Sequence, residues 1–491
     1  MSFRYKTSPA NWHVVLPMKK DAPFSCPFES TGQSDSPLSP RQFEAGEWPP
    51  GPPSGVTGWS LSRKMSHNML ETLSEWKQAF GKVFHLRIWP ENFIVLTDPE
   101  LARELLVNHH DALIRWERGI RVFAKVHGHS VIIAEGEKWI QKRQVMQPNF
   151  TPRALQSTIP SIIGATRDAL DSWPPNDDRW PIESAFTSLT MDAIIRTMFS
   201  TEVGDEARQA AEAVRVVGKV MDAEFFSLVN WPDWVPWKLG KRRAIQKLDE
   251  LIERHMQERL QAPEKSWPDD LLSRLLRLQQ TNPSEWSYKD IRDECMTTFL
   301  AGHETTAATL TWWAWCMASN PTMQEKARTE VAQVLQGEAP TMQALPALSY
   351  LARTLDETMR LYPAAPVLMT RRAVKPVSLG PWQFPQRTLF MLPIQLMQRD
   401  SSWFTDPQDY WPDRFNDEPR RPPRGAYAPF GLGPRVCLGQ HLATAEMKVM
   451  AAMILQRWTL SIPAGMKSPR PVQQVALRPD EPLHLSLRSV R

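Results

Sequence analysis

The segment Phe430–Gly439 places one cysteine and an arginine among glycines, directly before a helical pattern over 440–458. Free backbone N–H groups and the positive end of the helix dipole favour a thiolate over a thiol at the start of a helix, and the thiolate is the form that binds metals. Gly433 and Gly439 would let the backbone approach a flat ligand. A buried structural cysteine is the alternative, and the joint spacing of these residue types argues against it. The segment therefore predicts Cys437 as a metal ligand.

A second candidate site is the run Ala301-Gly302-His303-Glu304-Thr305-Thr306, inside a helical pattern over 287–319. The flanking residues are apolar, which predicts that the acid and the neighbouring hydroxyl are buried. A mid-helix threonine can donate to the carbonyl four residues earlier, here that of Ala301, and Gly302 leaves space beside it. The alternative is a threonine-rich core helix with a solvated Glu304. His303 is interpreted as a pocket residue and not as a ligand.

Two further pairs of side chains share a helical face. Glu357 and Arg360 are three residues apart, and Trp139 and Arg143 are four apart. Either pair alone is common on helix surfaces and carries little functional weight. They gain weight only from their order along the chain relative to the cysteine segment.

The cysteine segment resembles the haem-binding loop of the cytochrome P450 family, whose pattern is Phe-x-x-Gly-x-Arg-x-Cys-x-Gly, and every fixed position matches. The other segments resemble further family signatures and occur in the family's order. The resemblance implies a mainly α fold with a minor β-rich region. It places haem b between the long central helix and the helix that follows Cys437, and it suggests a soluble bacterial-type member.

The resemblance also implies a role for each site residue. Cys437 is expected to be the axial iron ligand, and Glu304 and Thr305 are expected to deliver protons to dioxygen. The residues expected around the haem are Trp139, Arg143, Ala301, Gly302, Arg372, Phe430, Arg435 and Gly439. The tryptophan and the three arginines of this set are expected at the propionates, with Arg371 as the alternative to Arg372. Glu357, Arg360 and Arg414 are expected to form a structural network.

The reaction implied by the resemblance is insertion of one oxygen atom from dioxygen into an apolar molecule, such as a fatty acid, terpenoid or polyketide. No flavin- or nicotinamide-binding region is found, so electrons from NAD(P)H are expected through a separate ferredoxin or flavodoxin-type donor and its reductase. A peroxide-driven member of the family is one rival, and the intact Glu304-Thr305 pair argues against it. A gas sensor or haem electron carrier is another, although a sensor would normally need an output domain.

The pattern along the chain predicts a mobile leader over 1–45, rich in Ser, Pro and charge, and a catalytic domain over 46–491. A β-hairpin is predicted over 82–96, and a β-rich stretch over 366–394. Amphipathic helices are predicted near 135–147, 183–200, 205–222, 240–262, 321–336 and 346–361, besides the long helix.

Composition excludes several classes of protein. The net charge of +4 over 491 residues is too mild for a dedicated nucleic-acid binder. The four cysteines are too scattered for a disulfide framework or a zinc site, which favours a reducing cytoplasm. No run reaches the roughly 18 to 20 apolar residues of a membrane span. The segment 231–237 and the basic residues after it are interpreted as a lid over a substrate entrance rather than as a membrane contact.

Overall fold

The computed structural model describes residues 47–201, 205–226, 235, 238–416 and 422–490. Sixteen α-helices and twelve strands lie in this part of the chain. The helices are α1 Trp59–His67, α2 Met69–Phe80, α3 Pro99–Arg103, α4 Glu117–His127, α5 Gly136–Met146, α6 Pro152–Leu155, α7 Ile159–Asp171, α8 Ile182–Phe199, α9 Asp205–Phe226, α10 Leu239–Gln261, α11 Leu271–Thr281, α12 Tyr288–Ser319, α13 Pro321–Leu335, α14 Ser349–Leu361, α15 Ile394–Gln398 and α16 Gln440–Arg457. The expected mainly α architecture is therefore confirmed.

The strands form small sheets at the edges of the helical body. They are β1 Val83–Ile88, β2 Glu91–Leu96, β3 Leu113–Arg115, β4 Asn176–Trp180, β5 Leu368–Ala373, β6 Val377–Leu379, β7 Trp382–Phe384, β8 Leu389–Leu392, β9 Trp458–Ser461, β10 Pro471–Gln473, β11 Leu477–Pro479 and β12 Leu485–Ser489. The largest sheet has the order β1-β2-β8-β5-β3, in which only β2 and β8 run parallel. The predicted hairpin is β1–β2, with Val83 opposite Leu96, and the predicted β-rich stretch is β5 to β8.

Helix α12 is the longest helix of the described chain and runs through its core. Ser287 and Asp290 form a reciprocal capping box at its start, which satisfies backbone N–H groups that the helix cannot pair itself. The second half of the helix is buried all round, with Trp312 and Trp313 fully inside. A helix that is apolar on every side belongs in the centre of a large protein, and α12 packs most extensively against α8.

A buried ion network fixes the region between α14 and the cysteine segment. The Glu357 carboxylate forms ion pairs with Arg360, at 2.7 Å, and with Arg414, at 2.9 Å. Arg360 also donates to the carbonyls of Gln398 and Pro407, at 2.9 and 2.7 Å. The network predicted for these three charged residues is therefore present.

Two sequence predictions concern residues outside the described ranges. The leader 1–45 lies there entirely, and so does the segment 231–237 apart from Val235. Lys238 and Lys241, next in sequence, are buried and pair with Glu224 at 2.8 and 2.9 Å. These two lysines are therefore not presented to a membrane surface. In the described ranges, none of the helices is both long enough and apolar enough to span a membrane.

Candidate functional site

A cavity of about 990 Å³ opens between α12 and the cysteine segment. Its walls come from α4, α5, α8, α9 and α12, its floor from 429–439 and the start of α16, and its far side from 364–371 and 473–482. Most of the site residues expected from the sequence line this cavity together. They are Trp139, Arg143, Ala301, Gly302, Glu304, Thr305, Phe430, Arg435, Cys437 and Gly439.

Cys437 is the only cysteine of the described chain whose side chain is accessible, since Cys295 and Cys316 are buried in the core. Its N–H donates to the carbonyl of Phe430 at 3.0 Å, which closes the loop into a tight turn. A Cβ on Gly439 would stand 4.0 Å from the Cys437 Sγ atom, so position 439 lies directly beside the sulfur.

Gly433 serves a different purpose from the one its sequence position suggested. It has a φ of +74°, and a Cβ there would lie 2.1 Å from the carbonyl oxygen of Leu106. The close approach that needs a glycine is therefore to the backbone of another segment and not to a flat ligand. The expected role of Gly433 is wrong, and its real role is to dock the cysteine loop on the helical turn 104–108.

The electrostatics of Cys437 also differ from the simple helix-end expectation. Although the side chain is open to the cavity, the surrounding protein desolvates the Cys437 thiol and raises its pKa, while the Gly439 N–H and the guanidinium of Arg143 oppose that rise. Burial therefore works against the thiolate form that the helix terminus favours. A metal cation bound to the sulfur would supply the missing stabilisation, because coordination deprotonates a thiol outright.

An arginine cluster lies on the cavity wall beside the cysteine loop. It consists of Arg115, Arg143, Arg371 and Arg435. Arg143 and Arg435 both stand over the ring of Trp139, at 5.9 and 4.3 Å from its centroid. Arg143 also donates to the carbonyl of Val436 at 3.0 Å, which connects α5 to the loop.

One carboxyl group, that of Glu135, faces this cluster. It accepts from Arg435 and, at 3.4 Å, from Arg115. Burial raises the pKa of Glu135 to about 7, with Arg371 opposing the rise, and burial lowers the pKa of Arg371 and of Arg435 to about 10. Arg115 Nε is buried without a hydrogen-bond partner. Four guanidinium groups against one carboxyl leave an excess of buried positive charge, which fits a ligand that carries two carboxylates.

Arg372 does not belong to the cavity, contrary to the favoured alignment. Its guanidinium pairs with Glu91 and Glu117, each at 2.6 Å, on the other side of strand β5. Successive side chains of a strand point to opposite faces, so only one of two adjacent arginines can face the cavity. That residue is Arg371, the alternative of the two.

On α12, the hydrogen bond expected from Thr305 to the carbonyl of Ala301 is present at 2.9 Å. The space beside Gly302 is not open, however, because a Cβ there would stand 2.6 Å from the Ile194 side chain of α8. His303 is fully buried, donates from Nδ1 to the Phe299 carbonyl at 3.0 Å, and is not among the residues that line the pocket. The pocket role inferred for His303 is wrong.

Glu304 is not a freely solvated side chain. Arg478 donates to its Oε1 atom from Nε at 2.9 Å and from Nη2 at 2.8 Å, and also pairs with Glu183 at 2.8 Å. The three side chains bridge α12, β11 and α8 at the cavity edge. The acid of the predicted acid–alcohol pair is thus held by a buried cation.

Glu446 is a site residue that the sequence motifs did not indicate. It lies in α16, is fully enclosed, and its Oε2 is 3.4 Å from the hydroxyl of Thr306. Burial raises the pKa of Glu446 to about 8, with the Thr306 hydroxyl opposing the rise. A lone acid in the apolar run 442–455 was the available signal, since an isolated buried carboxyl needs a reason to be there.

The described residues contain no group of three or more His, Cys, Asp or Glu side chains that could hold a metal ion by themselves. A single accessible thiol beside an arginine cluster is instead the donor set for an iron that is carried by an anionic macrocycle.

Comparison with known proteins agrees with this site. The family model "Cytochrome P450" matches residues 49–487. The chain therefore belongs to the cytochrome P450 family, and it is a haem-dependent oxidoreductase of the monooxygenase type.

Three relatives illustrate the range of the family around this chain. "Cytochrome P450 734A6" of rice is 31% identical, and the alignment covers 81% of this chain and 79% of the rice protein. "Cytokinin hydroxylase" of Arabidopsis thaliana is 27% identical, with 87% and 85% covered. "Cyclooctat-9-en-7-ol 5-monooxygenase" of Streptomyces melanosporofaciens is 29% identical, with 78% and 83% covered. Because most of these relatives are plant proteins, they do not support the expected bacterial-type subclass.

Proposed function

We propose that this chain inserts one oxygen atom from dioxygen into an apolar small molecule, and that Cys437 would bind the iron of haem b. The observation that carries the proposal is the accessible Cys437 thiol on the floor of a large cavity whose wall holds four arginines. When bound, haem would supply the activation of dioxygen. The chain's own residues bind the haem, position the substrate and provide protons.

The arginine cluster is suited to hold the two propionates. Arg143, Arg371 and Arg435 carry fixed guanidinium forks that match carboxylate geometry, and the Trp139 ring supports two of them. Arg115 is a further candidate, because its buried Nε has no partner among the described residues. Arg371 replaces Arg372 in this assignment.

Proton supply is assigned to the polar side chains of α12 and their partners. Thr305 keeps its hydroxyl on the cavity wall through its bond to Ala301. Arg478 holds the Glu304 carboxylate at the cavity edge, next to Thr305 in the chain. Glu446, which holds its proton near neutral pH, forms a second source behind Thr306.

The cavity wall supports an apolar substrate. Val122, Phe123, Val214, Met221 and Val367 all line it, which agrees with a fatty acid, terpenoid or polyketide-like molecule. The printed names of the relatives include a cytokinin hydroxylase and a monooxygenase of cyclooctat-9-en-7-ol, so the family around this chain accepts different substrates.

Members of the family need a redox partner, and we infer a separate ferredoxin or flavodoxin-type donor with its reductase, which passes on electrons from NAD(P)H. We further propose residues 46–491 as the catalytic domain, which agrees with the matched range 49–487. We also propose a cytoplasmic location, because the few scattered cysteines suit a reducing compartment.

The test is turnover under isotopically labelled dioxygen. Purified haem-loaded protein is incubated with NADPH, a ferredoxin and its reductase, and a panel of apolar molecules. We expect products that carry one labelled oxygen atom and that require the added redox partner. Products without the label, or equal turnover without the partner, would contradict the proposed reaction.

A Thr305→Ala variant in the same assay tests the proton assignment. Haem content should be unchanged, while a larger share of the consumed NADPH should end as hydrogen peroxide, because protons no longer reach dioxygen in step with electrons. Thr309→Ala is the matched control. The Thr309 hydroxyl makes the same kind of bond within the helix, since it donates to the Thr305 carbonyl at 2.9 Å. Equal coupling of NADPH to product in Thr305→Ala and wild type would refute the assignment.

A further inference from the structure

His127 is a buried polar residue on the cavity wall to which neither the motifs nor the haem assigns a role. It is the last residue of α4, is 6% exposed and lines the cavity. Its Nδ1 atom is 3.1 Å from the Thr297 hydroxyl of α12. Among the described residues, its Nε2 atom makes no hydrogen bond. The ring therefore presents one unused nitrogen in a mainly apolar cavity.

The neighbouring hydroxyl groups fix the tautomer of this ring. The Thr297 hydroxyl donates its proton to Ser130 Oγ at 2.6 Å. It can therefore only accept from His127, so Nδ1 carries the ring proton. Burial lowers the pKa of His127 to about 4, so the ring is neutral at pH 7 and Nε2 is an acceptor with a free lone pair.

The hydroxyl groups that α12 presents to the cavity already donate to other atoms of the protein. The hydroxyl groups of Thr298, Thr305 and Thr309 all donate to carbonyls of their own helix, each at 2.9 Å. Arg478 is engaged by Glu304 and Glu183. A ligand at His127 therefore gains a hydrogen bond there by bringing a donor, because the Nε2 atom of the neutral ring accepts.

We propose that His127 Nε2 accepts a hydrogen bond from a hydroxyl group of the substrate, so that the substrate is an apolar scaffold that already carries a hydroxyl. This inference rests on the proposed monooxygenase function. A charged ammonium group would be an equally good donor, but an apolar cavity disfavours it. A reaction that produces an alcohol must therefore supply this substrate.

The position of the anchor also bears on where oxidation occurs. Thr297, Ala301 and Thr305 lie on one face of α12, and a rise of 1.5 Å per residue puts Thr297 about 12 Å from Thr305 along the helix axis. A substrate held at His127 would therefore reach the Thr305 region with a carbon remote from its existing hydroxyl.

The experiment compares pairs of terpenoids that differ only by one hydroxyl, such as borneol with bornane and cedrol with cedrane. Binding to haem-loaded protein is measured by optical difference spectra. For the tightest-binding alcohol, we expect a dissociation constant about 10-fold below that of its hydrocarbon partner, which corresponds to one buried hydrogen bond. In His127→Phe and His127→Leu this preference should fall to about 2-fold or less.

The matched control is His255→Phe, a buried histidine stacked on Phe199 away from the cavity, which should keep the preference. A ¹⁵N spectrum of histidine-labelled wild type should show Nδ1-protonated, neutral His127 whose Nε2 signal moves when the alcohol binds. This measurement holds even if a variant fails to fold.

Three results would overturn the inference. They are the absence of an alcohol preference in wild type, an unchanged preference in the folded His127 variants, and a ring protonated at Nε2. Each of these results leaves the proposed function standing if the protein still binds haem and inserts labelled oxygen. Failure of haem loading or of oxygen insertion would instead remove the function on which the inference rests.

Discussion

Four guanidinium groups and the carboxyl of Glu135 meet beside Cys437, and their charges decide what the cavity can hold. Burial has lowered the pKa of Arg371 and Arg435 and raised that of Glu135, so each group is costly to keep charged without a partner. A ligand with two carboxylates would relieve that cost. The binding of the propionates and the stability of the cluster are therefore linked.

The adjacent arginines of β5 provide a matched pair for this claim. Arg371→Gln should release haem to apomyoglobin about 10-fold faster than wild type, because a buried charge-assisted contact to a propionate is lost. Arg372→Gln should leave that rate near the wild-type value and lower the melting temperature instead, since its partners are Glu91 and Glu117. Faster haem release in Arg372→Gln than in Arg371→Gln would instead indicate that Arg372 is the arginine that binds the propionate.

At the scale of elements, helices α12 and α16 clamp the cavity, and Glu446 lies between them. In the folded protein its carboxyl keeps a proton up to about pH 8, whereas the unfolded chain loses it near the ordinary value of 4.5. The folded state binds more protons between these values, so this group lowers stability as pH rises from about 4.5 to about 8.

Glu446→Gln should remove this decline. The melting temperature of the haem-loaded variant should fall less than that of wild type between pH 5.5 and 8, with the two curves diverging as pH rises. Glu338→Gln, at an exposed position after α13, should keep the wild-type curve. Parallel curves for wild type and Glu446→Gln would mean that the carboxyl does not titrate in this range.

The ion network of α14 gives a second element-scale prediction. Glu357→Gln should lower the free energy of unfolding by about 3 to 5 kcal/mol, because it leaves the fully buried Arg360 charge without its counter-ion. Glu325→Gln, which removes the exposed partner of Arg328, should cost less than about 1 kcal/mol, because Arg328 keeps its hydrogen bonds to the Leu455 and Trp458 carbonyls. Urea unfolding followed by tryptophan fluorescence measures both, and equal losses would contradict the structural role.

Local patterns predicted the elements well, for identifiable reasons. The expected helix 287–319 is α12 to within one residue, because Ser287 and the apolar run after it mark its start. The expected end of the last helix at Trp458 is late, since Trp458 opens strand β9 and its pairing with β12 overrides the helical pattern. Strand pairing of this kind joins distant segments, and local periodicity does not report it.

The site was predicted where a motif is contiguous and missed where it is assembled from distant segments. Cys437 and Thr305 were found because their neighbours in sequence are also their neighbours in space. Glu135, Arg115 and Arg478 became visible only when the fold brought their segments together. To choose between the two β5 arginines, one must know which side chains of the strand point to the cavity. The sequence does not give this, because the register of the strand is unknown until the fold is known.

At the scale of the whole molecule, the boundary of the catalytic domain can be tested by deletion. Removing residues 1–45 should leave haem content and melting temperature near wild type, because that segment lacks apolar periodicity. A deletion to residue 58 should destabilise the protein, since it removes Trp48, which stacks on His85 at 4.6 Å, and Pro50, whose carbonyl accepts from the same residue. Loss of haem in the shorter deletion would place the leader within the fold.

The central claim is that Cys437 binds the haem iron through its sulfur, and the absorption spectrum of the ferrous carbon monoxide complex tests it most directly. Thiolate donation shifts the main band of this complex strongly to the red. We expect the shifted band in wild type and in Cys295→Ala, whose cysteine is buried elsewhere. We expect its complete loss in Cys437→Ser and Cys437→His at equal haem content. A shifted band in either Cys437 variant, or its absence from fully haem-loaded wild type, would contradict the account.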